Sequence, residues 1–503
     1  MELNLTENKI ICCNTPEEKK AVLPIECSII LPDYYPDVMK ILRYNAKIVT
    51  MPVIPDETGE VASGNVNIEV IYVSEEGELC SCGQLQPFTH NFKREGGKVS
   101  AAELNAVCGE LSCRAINKRR IDLHGSIELA LNVLEAEERT FIENAEGSGS
   151  VCKNEKAEVI AITGEYYKTF NIEEKGELGY GRPKFGRAVR TFARAEITEC
   201  HVMQDKIVTK GEVRVKMLWV PENENEDKDY CISSFSFPIS RMIDAPGVLA
   251  EDICDARYLA DFPEISPSDE EDKIIVKTKV GIFARVYRKS EAEFVTDMFS
   301  SDYDCSVEKD DMNLIGEVFP ITVTENIFEK MELPENFEKM IDVWAEIPKA
   351  PTLADEGKIS FFVKLCVLAE NSDGETEYYE KSLEKEIFSP AGDKKTAFFS
   401  LCSDVVSEDC NMTRNGTAEI SINVLIDGTI YTSVKKRALT ECSLNCEKPN
   451  ERSKAALVLY YAEKGEHVWD IAKNYKVYPK KIIDENKITD GVISEKTMLV
   501  IPN

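Results

Sequence analysis

Histidine is scarce in this chain, with four residues in 503 (His90, His124, His201 and His467), and none stands in an HExxH or H-x3-5-H pattern. A histidine-built metal or hydrolytic site therefore has no support. No G-x-S-x-G elbow occurs, which removes the usual strand-to-helix serine nucleophile. Gly176, Gly181 and Arg182 echo a phosphate loop but lack the Gly-Lys-Ser/Thr ending that meets phosphate and magnesium. Paired CxxC knuckles are missing as well. Cys80, Cys82, Cys108 and Cys113 are read as reduced core or surface thiols, with a thiolate metal site as the alternative. Carboxylates are too numerous for any pair to stand out as acid and base. No catalytic residue, metal ligand or cofactor is nominated, and the expectation is a protein that is not an enzyme. The rival, an enzyme concealed in the β-rich part, requires a concave pocket gathering carboxylates or thiols.

Positive charge is also in deficit. Sixty Lys and Arg face ninety Asp and Glu, a net charge of -30, which opposes phosphate backbones and anionic lipid. No apolar run approaches the length of a membrane-spanning helix. The start, "MELNLTENKIICCNTPEEKK", has no basic segment followed by an apolar one, so no signal peptide is expected. The seventeen cysteines suit a reducing, cytoplasmic location. Cys12 with Cys13, and Cys442 with Cys446, are candidates for cross-linking to other chains on oxidation.

What the chain has in abundance is period-two alternation, the mark of half-buried strands. Gly64 opens "GNVNIEVIYV", with Val66, Ile68, Val70 and Tyr72 on one face. Gly211 opens "GEVRVKMLWV", with Val213, Val215, Met217 and Trp219. Gly357 opens "GKISFFVKLCV", with Ile359, Phe361, Val363 and Leu365. The spacings are about 147 and 146 residues, a domain-sized period. "AKI" at Ala46 and "AEI" at Ala195 and Ala345 repeat at about 149 and 150. Each unit has a proline-marked lead-in, from Leu31, Arg182 and Leu333, expected as a short helix or irregular turn. A further strand follows in each, from Gly125, Lys273 and Gly416.

The expected fold is mainly β: three diverged β-sandwich-like repeat domains, 1–150, 151–305 and 306–442, then a linker, 443–456, and a small terminal βααβ unit, 457–503. The repeats are read as scaffold, with edge strands that accept another chain as the alternative.

The terminal unit is legible in detail. Leu457–Tyr461 is a short strand, and Gly465 and Glu466 turn the chain at the head of a helix, where a carboxylate is favoured. Val468, Ile471, Ala472 and Tyr475 form one helical face. Pro479 starts a second helix that buries Ile482 and Ile483, and Met498–Ile501 closes the unit. From Leu457 onward seven Lys balance seven acids, so the whole net charge resides upstream. Lys480 and Lys481 make a local basic spot, a solvated helix end or a dock for an acidic partner.

The unit resembles a LysM domain, the module that binds N-acetylglucosamine-containing glycans. The resemblance rests on Tyr460, Gly465, Val468, Trp469, Ile471, Ala472, Tyr475, Ile482, Asn486, Ile488, Ile493, Leu499, Ile501 and Pro502. It implies a groove between the strand-to-helix loop and the loop after the second helix. The candidate partner or glycan contacts there are Gly465, Glu466, His467, Val468, Trp469, Lys487 and Ile488. Three positions depart from the family pattern. Gly465-Glu466-His467 replaces Gly-Asp-Thr/Ser, Glu495-Lys496 replaces a Pro-Gly turn, and Lys476 stands for the glycine between the helices. These changes shift the expected ligand from sugar towards protein. Trp469 is read as a packed anchor before a sugar platform.

Repeated β-domains with an "LPDYYPDVMKIL" lead-in and one terminal LysM together resemble the SipL-type (SpoVID-like) spore-coat morphogenetic proteins of clostridia. That resemblance implies an adaptor in the mother-cell cytoplasm at the forespore surface, its LysM docked on the coat-basement ATPase SpoIVA. Binding of peptidoglycan is the alternative.

Overall fold

A computed structural model describes residues 3–14, 17–55, 59–94, 99–179, 181–222, 230–270, 272–334, 336–413, 417–451, 457–489 and 491–502. Nearly all of it up to Pro449 is antiparallel β structure.

The first unit holds β1 (Asn4–Cys13), β2 (Glu17–Ile30), β3 (Val38–Thr50), β4 (Ile54–Pro55), β5 (Gly59–Ser74), β6 (Leu79–Lys93), β7 (Val99–Asn117) and β8 (Arg120–Glu146). One sheet has the order β2-β8-β7 and the other β3-β5-β6. The second unit holds β9 (Ser150–Glu177), β10 (Phe185–Met203), β11 (Lys206–Pro221), β12 (Cys231–Asp244), β13 (Ile253–Ala260), β14 (Glu264–Pro267) and β15 (Lys273–Ser300). Its sheets run β9-β15-β13 and β10-β11-β12. The third unit repeats the scheme with β16 (Tyr303–Glu332), β17 (Phe337–Glu346), β18 (Thr352–Ala354), β19 (Lys358–Asn371), β20 (Thr376–Phe388), β21 (Thr396–Met412) and β22 (Thr417–Pro449), as β16-β22-β21 and β17-β19-β20. Each pair of sheets closes on its own apolar core, the arrangement that one-sided apolar strands demand. The three alternating faces lie inside these cores, Val66 to Tyr72, Val213 to Trp219 and Ile359 to Leu365 all being buried.

The first and last strands of each unit run on past the sandwich as a two-stranded ribbon: β1 with β8, β9 with β15, and β16 with β22. The ribbons converge on shared apolar layers in a pseudo-threefold pattern. Cys13, Ile160 and Ile315 lie in one cluster with Leu134, Tyr287 and Tyr431. Cys12, Val159 and Leu314 lie in the next, with Phe141, Phe294 and Ala438. Buried polar pins fix the units against one another. Arg285 of the second unit bonds Glu165 at 2.6 Å and Glu103 of the first at 3.1 Å, and Ser400 of the third donates to Glu103 at 2.7 Å. Elsewhere Arg43 and Arg190 both stack on Trp344, at 5.4 and 4.2 Å, and Arg190 pairs with Asp342 at 2.8 Å. Such groups are tolerated inside because each charge meets its opposite.

Several expectations change in detail. Of the two alternatives for the lead-ins from Leu31 and Arg182, the irregular one holds: short non-helical stretches run straight into β3 and β10. None of the three glycines opens its strand: Gly64 lies inside β5 and Gly211 inside β11, while Gly357, at φ +65, ends the turn Asp355–Gly357 and β19 starts at Lys358. Gly416 lies outside the described residues. Residues 443–449 are not linker, because they finish β22 paired with β16. Asn450 is also tied down, its side chain donating to the Ser300 and Tyr303 carbonyls at 2.8 Å. Residues 452–456 of that segment lie outside the described residues. Turns separate the units at 147–149 and 301–302.

Candidate functional site

The terminal unit is β23 (Val458–Ala462), α1 (Val468–Tyr475), α2 (Pro479–Asn486) and β24 (Thr497–Ile501). Val468, Ile471, Ala472 and Ile482 pack with Ala462, Ile493, Leu499 and Ile501 in one small core. Asn486 ties α2 to β24, giving its amide to the Ile482 and Val500 carbonyls and accepting the Val500 N–H at 2.7 Å. Both helices end on a lysine in the left-handed region, Lys476 at φ +55 and Lys487 at φ +54, where glycine is the easier residue.

The loop ahead of α1 and the loop after α2 lie side by side, joined by backbone. The Gly465 N–H donates to the Ile493 carbonyl at 2.8 Å, the Ile493 N–H to the Glu466 carbonyl at 2.9 Å, and the Val468 N–H to the Gly491 carbonyl at 2.9 Å. His467 and Val492 form a β-bridge. Gly465 sits at φ +91 with open space around its α-carbon. Glu466 is turned inward, its carboxylate accepting the Tyr460 hydroxyl at 3.1 Å and the Glu463 N–H at 3.2 Å. Burial, with that carboxylate second, pushes the Tyr460 phenol up. His467 and Lys487 are exposed.

Three of the seven candidate contacts are committed elsewhere. Val468 is buried as the first apolar residue of α1, and Ile488 is half-buried against the same core. Trp469 faces the β body. Its indole N–H donates to Asp297 Oδ2 at 2.7 Å, and its ring meets Phe299 edge-on at 5.3 Å. What remains open to a partner is Gly465, His467 and Lys487; the Glu466 backbone between them is already bonded to Glu463 and Ile493.

The dock for Trp469 was missed from sequence. Asp297 also receives Lys473 at 2.7 and 2.8 Å and Lys309 at 2.7 Å. Burial alone would raise its pKa, but the bonds from Lys309, Lys473 and Trp469 outweigh that and hold it at about 2. Phe299 is 1% exposed and belongs to the terminal unit's core, with Val151 beside it. The pseudo-threefold mates of Asp297 and Phe299 are Asn144 and Glu146 in one ribbon and Glu441 and Ser443 in the other. Only the second unit pairs a carboxylate with an apolar ring here. Little in the sequence signals it, because in "VTDMFS" Phe299 follows two other apolar residues, Val295 and Met298, that are equally buried.

A cavity of about 610 Å³ lies far from this site, at the end of the third unit. It gathers three carboxylates, Glu332, Glu380 and Glu419, and no thiol among the described residues; Glu419 is held by Lys330 at 2.6 Å and Glu380 by the Tyr378 hydroxyl at 2.8 Å, while Lys381 bonds Glu329 at 2.7 Å.

Residues 187–261 match the family profile described as SipL, SPOCS domain, and residues 460–502 match that of the LysM domain. No curated protein and no solved structure matches the chain. The SPOCS match spans β10 to β13 of the second unit, and the LysM match covers the terminal unit from Tyr460 to Pro502. With SipL-type and LysM domains together, this is a sporulation-associated, mainly β protein carrying a C-terminal binding module. Both matched families are binding domains rather than catalytic ones. No helix among the described residues is long and apolar enough to cross a membrane.

Proposed function

We propose that the chain is a non-enzymatic spore-coat morphogenetic adaptor whose LysM domain binds a protein, the coat-basement ATPase SpoIVA, and so tethers coat to the forespore surface. The observation that carries this reading is the joined mouth of the LysM loops. Three backbone hydrogen bonds and the His467–Val492 bridge draw the two walls together. The carboxylate that would offer itself to sugar hydroxyls is occupied by Tyr460 and Glu463. A saccharide needs a cleft with several free polar groups converging on it. A polypeptide needs a rim, and Gly465, His467 and Lys487 supply an exposed one. The exposed Lys480 and Lys481 add positive charge to α2, which favours an acidic partner surface. The forespore surface, reached from the mother-cell cytoplasm, is where such an adaptor acts.

The LysM match itself favours a second reading, a peptidoglycan-binding protein. Co-sedimentation separates the two. Wild-type chain is spun with purified peptidoglycan and, separately, mixed with purified SpoIVA, each in parallel with His467→Glu and Lys487→Glu. Capture by SpoIVA that both substitutions weaken about tenfold supports the adaptor. Capture by peptidoglycan alone overturns it.

A further inference from the structure

A two-stranded sheet at a protein surface normally buries one face and shows water a polar one. The β23–β24 sheet does not. Its inner face places Tyr460, Ala462, Leu499 and Ile501 in the LysM core. Its outer face is apolar too: Tyr461 stands opposite Met498, and Leu459 opposite Val500. Tyr461 is 68% exposed, Met498 48%, Leu459 47%, and Leu457, just before the strand, 57%. These neighbours form a contiguous patch on the order of 400 Å², the size that on a monomer marks an interaction site.

The strand edges point the same way. Among the described residues each of the two strands has a single neighbour, and neither contains a charge or a proline, the guards that keep open edges from pairing.

We infer that this outer face, with the open edge of β23, is a contact between two copies of the chain. Charge selects that occupant. The patch carries no charge, and the adjacent Lys496 and Glu463 neutralise each other, so neither an acidic nor a basic partner is favoured. The LysM domain as a whole is neutral, whereas the chain carries -30. It is therefore the part through which two such acidic molecules approach with least repulsion. A two-fold axis would set Tyr461 and Leu459 of one copy on those of the other, the self-complementarity that an isologous contact requires. Twice the patch is on the order of 800 Å², below what a stable interface buries and within the range of transient ones, so the dimer is weak and its population follows concentration. The contact uses residues other than the loop pair of the proposed SpoIVA site and stands whether or not that reading does.

Sedimentation velocity of the full chain, from low to high micromolar concentration at low and high salt, tests it. Self-association is expected to strengthen with salt, because screening relieves body–body repulsion while the contact is apolar. Tyr461→Glu and Met498→Lys should each raise the dissociation constant at least tenfold, with acrylamide quenching of Trp469 unchanged as the control for folding. Mixing Tyr461→Glu with Tyr461→Lys should restore a heterodimer if like residues meet across the axis. A chain monomeric throughout, a dimer indifferent to both substitutions, or one dissolved by salt overturns the inference.

Discussion

Replacing Asp297 by Ala removes the acceptor shared by Lys309, Lys473 and Trp469, and its effect can be sized from the structure. The carboxylate is 14% exposed, so it escapes the screening that makes surface ion pairs nearly worthless. Its pKa of about 2, against an ordinary value near 3.9, corresponds to about 2.5 kcal/mol in favour of the charged form. Lys309 belongs to the body and stays when the LysM domain leaves. Lys473 and Trp469 provide the remainder, about 1.5 kcal/mol, or tenfold in the docking equilibrium. Phe299→Ala takes a buried ring out of the same contact and should remove roughly 3 kcal/mol more. Trp469 is a built-in reporter, because Trp219 and Trp344 are almost wholly buried within the body. The double variant should show red-shifted emission, a newly acrylamide-accessible tryptophan, and faster proteolysis around residues 450–457. Unchanged quenching in the double variant would refute the docking. It follows that deleting residues 457–503 is a poor test of partner binding, since it also bares Phe299; point substitutions at His467 and Lys487 are cleaner.

Acid should undo the same latch. Asp297 has a depressed folded pKa, so its stabilisation is complete above about pH 4 and is lost as pH falls towards 2; the quenching signal should follow that window and flatten in Asp297→Asn. Arg285→Ala strands the Glu165 carboxylate and leaves Glu103 to Arg257 and Ser400, and should lower stability by about 3 kcal/mol in a denaturant titration. Gly211→Ala would put a methyl 1.9 Å from the Glu196 carbonyl oxygen, which is backbone and cannot yield. A loss of about 2 kcal/mol or more is expected, seen as an earlier unfolding midpoint.

Local patterns were legible in the sequence, and long-range ones were not. Val213, Val215, Met217 and Trp219 announce a half-buried strand because period-two spacing is enforced residue by residue. Val468, Ile471 and Ala472 announce a helix for the same reason. The convergence of Cys13, Ile160 and Ile315 has no such local trace, since each is one apolar residue in a ribbon more than a hundred positions from its mates. Residues 443–449 read as linker because the end of β22 is exposed on both faces and so has no apolar stripe to reveal it. Trp469 was correctly read as an anchor from its size and polar handle, yet what it anchors to, Asp297 and Phe299, lies some 170 residues upstream. Val468 and Ile488 entered the candidate site through position in a motif, which says nothing of burial: Val468 is 1% exposed and Ile488 half-buried against the same core.

The sharpest single measurement is an isothermal titration of the full chain with SpoIVA and, in a matched run, with N-acetylglucosamine oligomers. The LysM mouth described above should give heat with the protein and none with the sugar, and His467→Glu should weaken the former about tenfold. Saturable sugar binding through that mouth, with SpoIVA silent, would contradict it.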